Sequence, residues 1–487
     1  MKIIGSLLVF FILFPGGLTA LYEESGYYAV ITGDQSVEVN STEKYELKVY
    51  DKDENIIKEE SFKKKFTNIG DVLIEKKTSF TDNQGKSHTL IGNLKVEVVS
   101  SLSEANNLDI IFTDPIKNDA TPTSKLIQNI NQAKSSVEVV AYIIGNQDVV
   151  DALIAAADRL GPENVRIVVE KDYYDKPEYQ KYYKALESQG IKIVTDNGDG
   201  LVHNKFFVID KEKVITGSTN FSNSDLYDNN NNMVFLNSKE VAEAYHQEFV
   251  EMFEEQKFGK SKDQSTNNSF TITVGDPNKV SINSDNIETL MLLPGIDKSL
   301  AQRIIDYRKQ NGDFTTPSDI KKVSGIGEKT YNKIKDYIVC EATPTREVGV
   351  EVYFSPTDHY RNKIVELIDN AKTEINFAVF TFTDDKIKDA LIRAHERGVK
   401  INGVFDAWQT DNPNSAYYEM KKQGIDVTKD TNNGLLHHKF MVIDGETTIT
   451  GSYNWTYSAE TKNDENGLII KDNQISQEYN KEFQNLS

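Results

Sequence analysis

The sequence predicts a multidomain protein whose larger part is α/β, made of two similar lobes, with an N-terminal β-sandwich-like domain before them and an all-α insertion between them. Three observations predict it. The chain has 487 residues, which suits three or four domains. From about residue 108 strands alternate with amphipathic helices, the pattern of a sheet with helices on its faces. Third, the chain repeats itself: His203 and His437 are 437 − 203 = 234 residues apart, and Lys205/Lys439, Asp210/Asp444, Gly217/Gly451 and Asn220/Asn454 keep that offset. Gly190/Gly424 and Asp172/Asp406 keep it too, so residues 165–232 align without gaps to 399–466. Upstream, Ala133-Lys134 pairs with Ala371-Lys372.

Residues 1–20 read as a secretory signal. Lys2 supplies the positive end, Ile3 to Phe14 is an almost unbroken apolar run, and Pro15, Gly16 and Gly17 end it before the small residues Thr19-Ala20. The run is shorter than the roughly 20 residues of a spanning helix. A retained N-terminal anchor is the alternative, and either reading places the rest of the chain in a secreted or cell-envelope location. The single cysteine, Cys340, excludes an intramolecular disulfide and reads as a small hydrophobe at the end of a helical pattern.

Residues 27–103 alternate apolar and polar in short runs. Tyr45, Leu47 and Val49 share one strand face, Lys95 to Val98 is another strand, and Asp51 to Asn55 and Asp82 to Gly85 are turn-like breaks. Lobe 1 is expected over 108–255: Leu126, Ile127 and Ile130 lie on one helical face, and Val137 to Tyr142 is a buried-strand run. Residues 256–280 contain the polar stretch Lys257 to Ser269 and read as a linker. Residues 281–340 are a helical block, Glu341 to Gly349 a second linker, and 350–487 lobe 2.

The formal charge is −20, so the chain as a whole is no electrostatic glue for DNA or anionic lipid, and an anion site must be local. No Cys/His cluster has zinc-ligand spacing and no calcium loop is present, so neither metal nor cofactor is expected. The chemistry lies in the repeat. Each half carries His-x-Lys-x-x-x-x-Asp and then Gly-Ser-x-Asn. On a strand, residues i and i+2 share a face, so His203 points with Lys205 and His437 with Lys439. Drift after duplication would not spare these residues in both copies while altering their neighbours unless they act.

These paired motifs resemble the phospholipase D superfamily over about 108–255 and 350–487. The resemblance implies two α/β lobes about a pseudo-twofold axis, one shared site, and metal-free phosphodiester cleavage through a phosphohistidine. The catalytic set it implies is His203, Lys205, Asp210, Asn220, His437, Lys439, Asp444, Asn454 and Glu465. Lys205, Lys439, Asn220 and Asn454 are donors for the nonbridging oxygens, and Ser218, Ser452 and Asn231 are expected beside the substrate. One neutral histidine attacks phosphorus while the other, protonated, donates to the leaving oxygen. Glu465 and its counterpart Asn231 each lie 28 residues after a motif histidine (465 − 437 and 231 − 203). In similar two-lobed enzymes this position contacts the histidine of the opposite lobe. Glu465 would then hold His203 and Asn231 would hold His437, making His203 the nucleophile and His437 the acid. Asn231 departs from the usual acid. Asp210 and Asp444 lie five residues past their lysines, an odd spacing that aims them elsewhere, so they read as structural ion-pair partners rather than proton carriers.

In the helical block, Leu293-Pro294-Gly295-Ile296-Asp297 and Val323-Ser324-Gly325-Ile326-Gly327 precede helices expected at Lys298 to Lys309 and Glu328 to Ile338. The block resembles a tandem helix-hairpin-helix domain, in which Gly295, Gly325 and Gly327 would let backbone amides approach a DNA phosphate. Its nine Lys/Arg against eight Asp/Glu (9 − 8 = +1) permit nucleic-acid binding locally without driving it. The expected function is a secreted nuclease with DNA as partner. A phospholipase D acting on phospholipid is the alternative, and a DNA-binding surface protein with a decayed site is a third reading that the intact motifs oppose.

Overall fold

The computed structural model describes residues 19–20, 27–32, 36–38, 42–51, 55–65, 70–82, 86–99, 107–113, 115, 121–196, 200–263, 268–275, 279–284, 287–291, 293–340, 345–431 and 434–486. Most of the expected signal segment, residues 1–18, lies outside them. The chain divides into two compact units, one from residues up to 105 together with 275–344, the other from 106–274 together with 345–487.

In the first unit the period-2 pattern of the N-terminal part resolves into two β-sheets, antiparallel except where Ser36–Glu38 runs parallel to Ser87–Val99. Strands Tyr27–Thr32, Thr42–Asp51 and Ile56–Lys65 pair in that order. Gly70–Thr81 pairs along its length with Ser87–Val99 in a second sheet. Tyr45, Leu47 and Val49 are buried on one face with Ile74 and Leu90, as the alternation requires. The helical block has its own core of Leu293, Ile296, Leu300, Ile304, Val323, Ile326 and Ile334 with their neighbours. Its helices are Lys298–Asn311 and Glu328–Ile334. The second ends four residues earlier than expected, because Ile338–Val339 instead bridges in parallel to Val280–Ser281.

The second unit carries the repeat. Lobe 1 is a seven-stranded sheet in the order 192–195, 165–169, 137–141, 205–209, 213–217, 232–237, 108–112. Lobe 2 repeats this order as 426–429, 400–405, 374–379, 439–443, 447–451, 465–471, 345–355, and adds Ser269–Gly275 at the edge. The supposed linkers are therefore partly ordered. Thr345–Ser355 is the strand next to the edge, and Ser269–Gly275 pairs with it as the edge strand, its Ile272 and Val274 buried in the inner core. Lys262, inside the first of these stretches, is fully buried in an ion pair with Glu248 and lies 3.0 Å from Asp464. Each sheet packs its outer face on its own helices. The inner faces share one core, where Val140, Phe206, Val350 and Phe440 meet Tyr245 and Phe249 of helix Lys239–Phe253 and Tyr479 of helix Asn473–Leu486.

The strand register also corrects the gap-free alignment. Val165 pairs with Val137, and Ile401 with Ile375, while Phe207 and Met441 pair with the equivalent Val139 and Phe377. The offset on these strands is thus 401 − 165 = 236. Glu170, not Asp172, is the counterpart of Asp406: each follows its strand, and each accepts from the backbone N–H of the residue just before a motif histidine, Val202 N to Glu170 (2.6 Å) and Leu436 N to Asp406 (3.0 Å).

Candidate active site

The two motif histidines stand where the chains of opposite lobes cross. His203 N donates to Asp464 O, and His437 N donates to Asn230 O, both at 2.9 Å. These crossings bring each histidine beside the other lobe's partner strand. Nδ1 of His203 lies 2.7 Å from Glu465 Oε2, and Nδ1 of His437 lies 2.8 Å from Asn231 Oδ1. With Nδ1 occupied, Nε2 is the reactive nitrogen of both rings. Each ring leans edge-on against an aromatic wall, Tyr142 for His203 and Phe380 for His437, with centroids 4.8 Å apart in both cases. The lysine ammoniums sit over the same walls, Lys205 at 5.1 Å from Tyr142 and Lys439 at 5.0 Å from Phe380. Each also donates to the carbonyl of its own motif histidine, at 2.6 and 2.7 Å.

All four groups are buried, and burial of like charges sets their protonation. Burial pushes His203 down to about 4, the nearby lysines adding to the effect and Glu465 opposing it. His437 is held well below the ordinary histidine range by burial and by Lys439 and Lys205. Burial lowers Lys205 to about 8, and burial with Lys205 nearby holds Lys439 well below the ordinary lysine range. The site gathers four cation-forming groups whose charged forms burial disfavours. It also holds three buried oxygens without a hydrogen-bond partner: Asn220 Oδ1, Asn454 Oδ1 and Glu465 Oε1.

Several expected residues have other positions than the sequence suggested. Ser218 and Ser452 do not face the ligand space. Their hydroxyls donate to Asn231 Oδ1 (2.8 Å) and Glu465 Oε2 (2.7 Å), and both accept the backbone N–H of the following strand, from Asn232 and Asn466. Asn231 is fully buried against His437 rather than lining the substrate space. Asp210 and Asp444 lie beyond the far ends of strands Lys205–Ile209 and Lys439–Ile443. Among the described residues they form no ion pair there. Asp210 accepts the backbone N–H groups of Lys134, Ser135 and Ser136, and Asp444 those of Lys372, Thr373 and Glu374. These bonds hold both carboxyls below the usual range. The motif aspartates thus fix the turn entering the neighbouring strand and leave the chemistry to the other end of the sheet.

Sequence reasoning missed Tyr142, Phe380 and Asp225. The first two were masked by a different offset in their strands, 380 − 142 = 238. Asp225 Oδ1 lies 3.3 Å from His437 Nδ1, and nothing in the motif spacing marks it. A pocket of about 530 Å³ is lined by Gly200, Phe258, Gly259, Lys260, Ser261, Thr461 and Lys462. It opens on the segments that lead into His203 and Glu465.

In the other unit, the two hairpin turns are built alike. Ile296 N donates to Leu293 O and Ile326 N to Val323 O, both at 3.0 Å. Gly295 and Gly325 hold positive φ (83° and 100°), and Gly327 caps its helix without a side chain. A Cβ at Gly295 or Gly327 would meet nothing within 4 Å, so both glycines present backbone to open space.

Comparison with known proteins agrees with this geometry. Residues 126–253 and 364–487 match the family described as "Cardiolipin synthase, PLD-like domain", and residues 276–339 match the helix-hairpin-helix motif. A mitochondrial cardiolipin hydrolase from Xenopus laevis is 35% identical over 27% of this chain and 62% of its own length. A phospholipase D from Rickettsia typhi is 33% identical over 32% of this chain and 76% of its own. Among solved structures, a phosphatidylserine synthase from Haemophilus influenzae Rd KW20 superposes over 80% of this chain and 87% of its own with a TM-score of 0.50, at 12% identity, a likeness of fold alone. The paired motifs, the shared cluster between two lobes of one topology, and a family match over both halves lead to one conclusion: this chain belongs to the phospholipase D superfamily, with a helix-hairpin-helix domain inserted between its lobes.

Proposed function

We propose that this protein hydrolyses phosphodiester bonds in two steps through a phosphohistidine, with DNA as its substrate. The observation that carries the reading is the crossed pair of histidines, each held at Nδ1 by a residue of the opposite lobe, with Nε2 free beside two buried lysines. In the first step neutral His203 attacks phosphorus through Nε2. The bond to the leaving oxygen breaks, and that oxygen takes the proton carried by His437. In the second step His437 removes a proton from water, the hydroxide attacks phosphorus, and the bond to His203 breaks to restore the free imidazole. Lys205 and Lys439 meet the charge on the nonbridging oxygens throughout.

Glu465 makes His203 the stronger nucleophile, because a carboxylate at Nδ1 stabilises the positive ring that attack creates. The helix-hairpin-helix match and the two backbone-presenting turns favour nucleic acid, as do Lys260 and Lys462 in the pocket beside the site. The apolar run Ile3 to Phe14 supports action outside the cytoplasm. The second reading, hydrolysis of phospholipid headgroup esters, is favoured by relatives named cardiolipin hydrolase and phospholipase D. Purified protein incubated with plasmid DNA, RNA and labelled phosphatidylcholine, each with and without excess EDTA, separates the readings. DNA cleavage that persists in EDTA is the expected result, because the two lysines supply the positive charge. Release of phosphatidic acid with intact DNA would establish the second reading. Loss of all activity in EDTA, restored by magnesium, would overturn the mechanism.

A further inference from the structure

The two half-sites are unequal, and the inequality is compensated. Lobe 2 places Glu465 on His203, while lobe 1 offers only the neutral Asn231 to His437. An amide can hold a ring by one hydrogen bond but contributes no charge to stabilise its protonated form. The ring that must carry the proton to the leaving group would then be the one without a carboxylate.

Asp225 stands in that gap. It is 4% exposed, and its Oδ1 lies 3.3 Å from His437 Nδ1. Four side-chain hydrogen bonds fix its orientation. Oδ1 accepts from Asn231 Nδ2 and Asn229 Nδ2, both at 3.3 Å, and Oδ2 accepts from Ser222 Oγ at 2.8 Å and Asn220 Nδ2 at 3.1 Å. Asn231 also donates to the carbonyl of Asp225 at 3.1 Å. The amide that touches His437 is thus itself held on the carboxylate.

The local chain differs where this requires it. With the offset of 234, Asp225 corresponds to Ala459 (225 + 234). Residues Tyr457–Thr461 form an ordinary α-helical turn, whereas Ser224–Asp228 is wound as a π-helix. A π turn is rare and less well packed than an α turn, and it persists where something else holds it. Here the wider turn carries Asp225 into the cluster. The groups facing His437 are then Lys439, Lys205, His203 and His438 as cation-forming neighbours, and Asp225 as the carboxylate. Burial and those cation-forming neighbours hold His437 well below the ordinary histidine range.

We propose that Asp225 is a positioning residue that supplies, from a different point in the sequence, the carboxylate that lobe 1 lacks at Asn231, orienting His437 and stabilising its protonated form as the general acid. The inference rests on the two-step reading given above.

The test compares Asp225→Asn, Asn231→Glu and the double variant with the full-length protein. Each is assayed on DNA, whose leaving group is an alkoxide, and on a nitrophenyl phosphodiester, whose leaving group needs little protonation. Asp225→Asn is expected to slow DNA cleavage by about ten- to a hundredfold, part of what general acid catalysis contributes, with a clearly smaller loss on the nitrophenyl ester. Removing the negative charge makes His437 a stronger acid, so the alkaline limb of the DNA pH–rate profile should move to lower pH. Asn231→Glu added to Asp225→Asn should return both rate and profile toward wild type. Equal losses on the two substrates with an unmoved profile, or no rescue by Asn231→Glu, would assign Asp225 a purely structural role and overturn the proposal. Thermal melts identify a variant that has failed to fold, and Asn231→Glu alone then decides: a second carboxylate at His437 should move the alkaline limb to higher pH, and a limb that stays in place or moves lower would overturn the proposal. Rapid-quench mass spectrometry of the wild-type protein checks the underlying reading separately: without a phosphohistidine there, the two-step scheme falls and the inference with it.

Discussion

Neutralising Glu465 without changing its shape should cripple formation of the covalent intermediate. Glu465 is fully buried, its Oε2 lies 2.7 Å from His203 Nδ1, and that oxygen is also held by Ser452 Oγ at 2.7 Å. Attack on phosphorus turns the His203 ring positive, so the carboxylate does more for the transition state than for the resting enzyme. An opposite charge at this range favours the charged form of a histidine by about 1.4–4 kcal/mol. Glu465→Gln should therefore slow phosphoenzyme formation by about 10- to 1000-fold. The amide keeps an acceptor for the Nδ1 proton, as Asn231 does for His437, so the ring should stay in place and the fold should melt near the wild-type temperature. The assay is single-turnover rapid quench on a nitrophenyl phosphodiester, which isolates attack from leaving-group protonation. A phosphoenzyme rate within twofold of wild type would refute the reasoning, and so would a larger effect on the acid step than on attack.

Two further outcomes follow from the same geometry. Inorganic phosphate should bind with proton uptake, because the anion raises groups that burial holds down. Before phosphate is added, His437 at pH 7 is neutral, held well below the ordinary histidine range, and should gain roughly one proton on binding. Lys205, lowered by burial to about 8, is already charged below that pH, so phosphate affinity should be highest there and fall as pH rises through the higher value of the bound state. Calorimetry in buffers of different ionisation enthalpy measures the uptake, and none at pH 7 would contradict the account. In the inserted domain, side chains placed at Gly295, Gly325 and Gly327 should weaken DNA binding and lower the ratio of DNA to nitrophenyl turnover, whereas equal DNA affinity after deleting 281–340 would make the block a protein-docking module.

Much of the fold was legible because duplication writes the same topology twice. The 234-residue offset pairs the catalytic strands, and the β period puts each histidine and lysine on one face. What was not legible depends on contacts between distant segments. The offset shifts from 236 to 234 between strand Val165–Val169 and Gly190, so Glu170, not Asp172, matches Asp406. Polar composition suggested linkers at 256–280 and 341–349, yet Ile272, Val274, Val348 and the buried Lys262 are ordered by partners far along the chain. The motif aspartates were read as ion-pair members because sequence shows charge but not the three backbone amides that each of them gathers. Asp225 was invisible for a similar reason: its role depends on a π turn and on His437 from the other lobe.

The most direct test of the central claim locates the phosphoryl group. His203→Asn and His437→Asn, quenched within one turnover of a nitrophenyl phosphodiester and digested for mass spectrometry, show which histidine carries phosphorus. The account predicts phosphate on His203 in the His437→Asn protein and no phosphoenzyme in His203→Asn. Phosphate on His437 would reverse the assignment that Glu465 supports, and the absence of phosphohistidine from wild type and both variants would contradict the two-step mechanism itself.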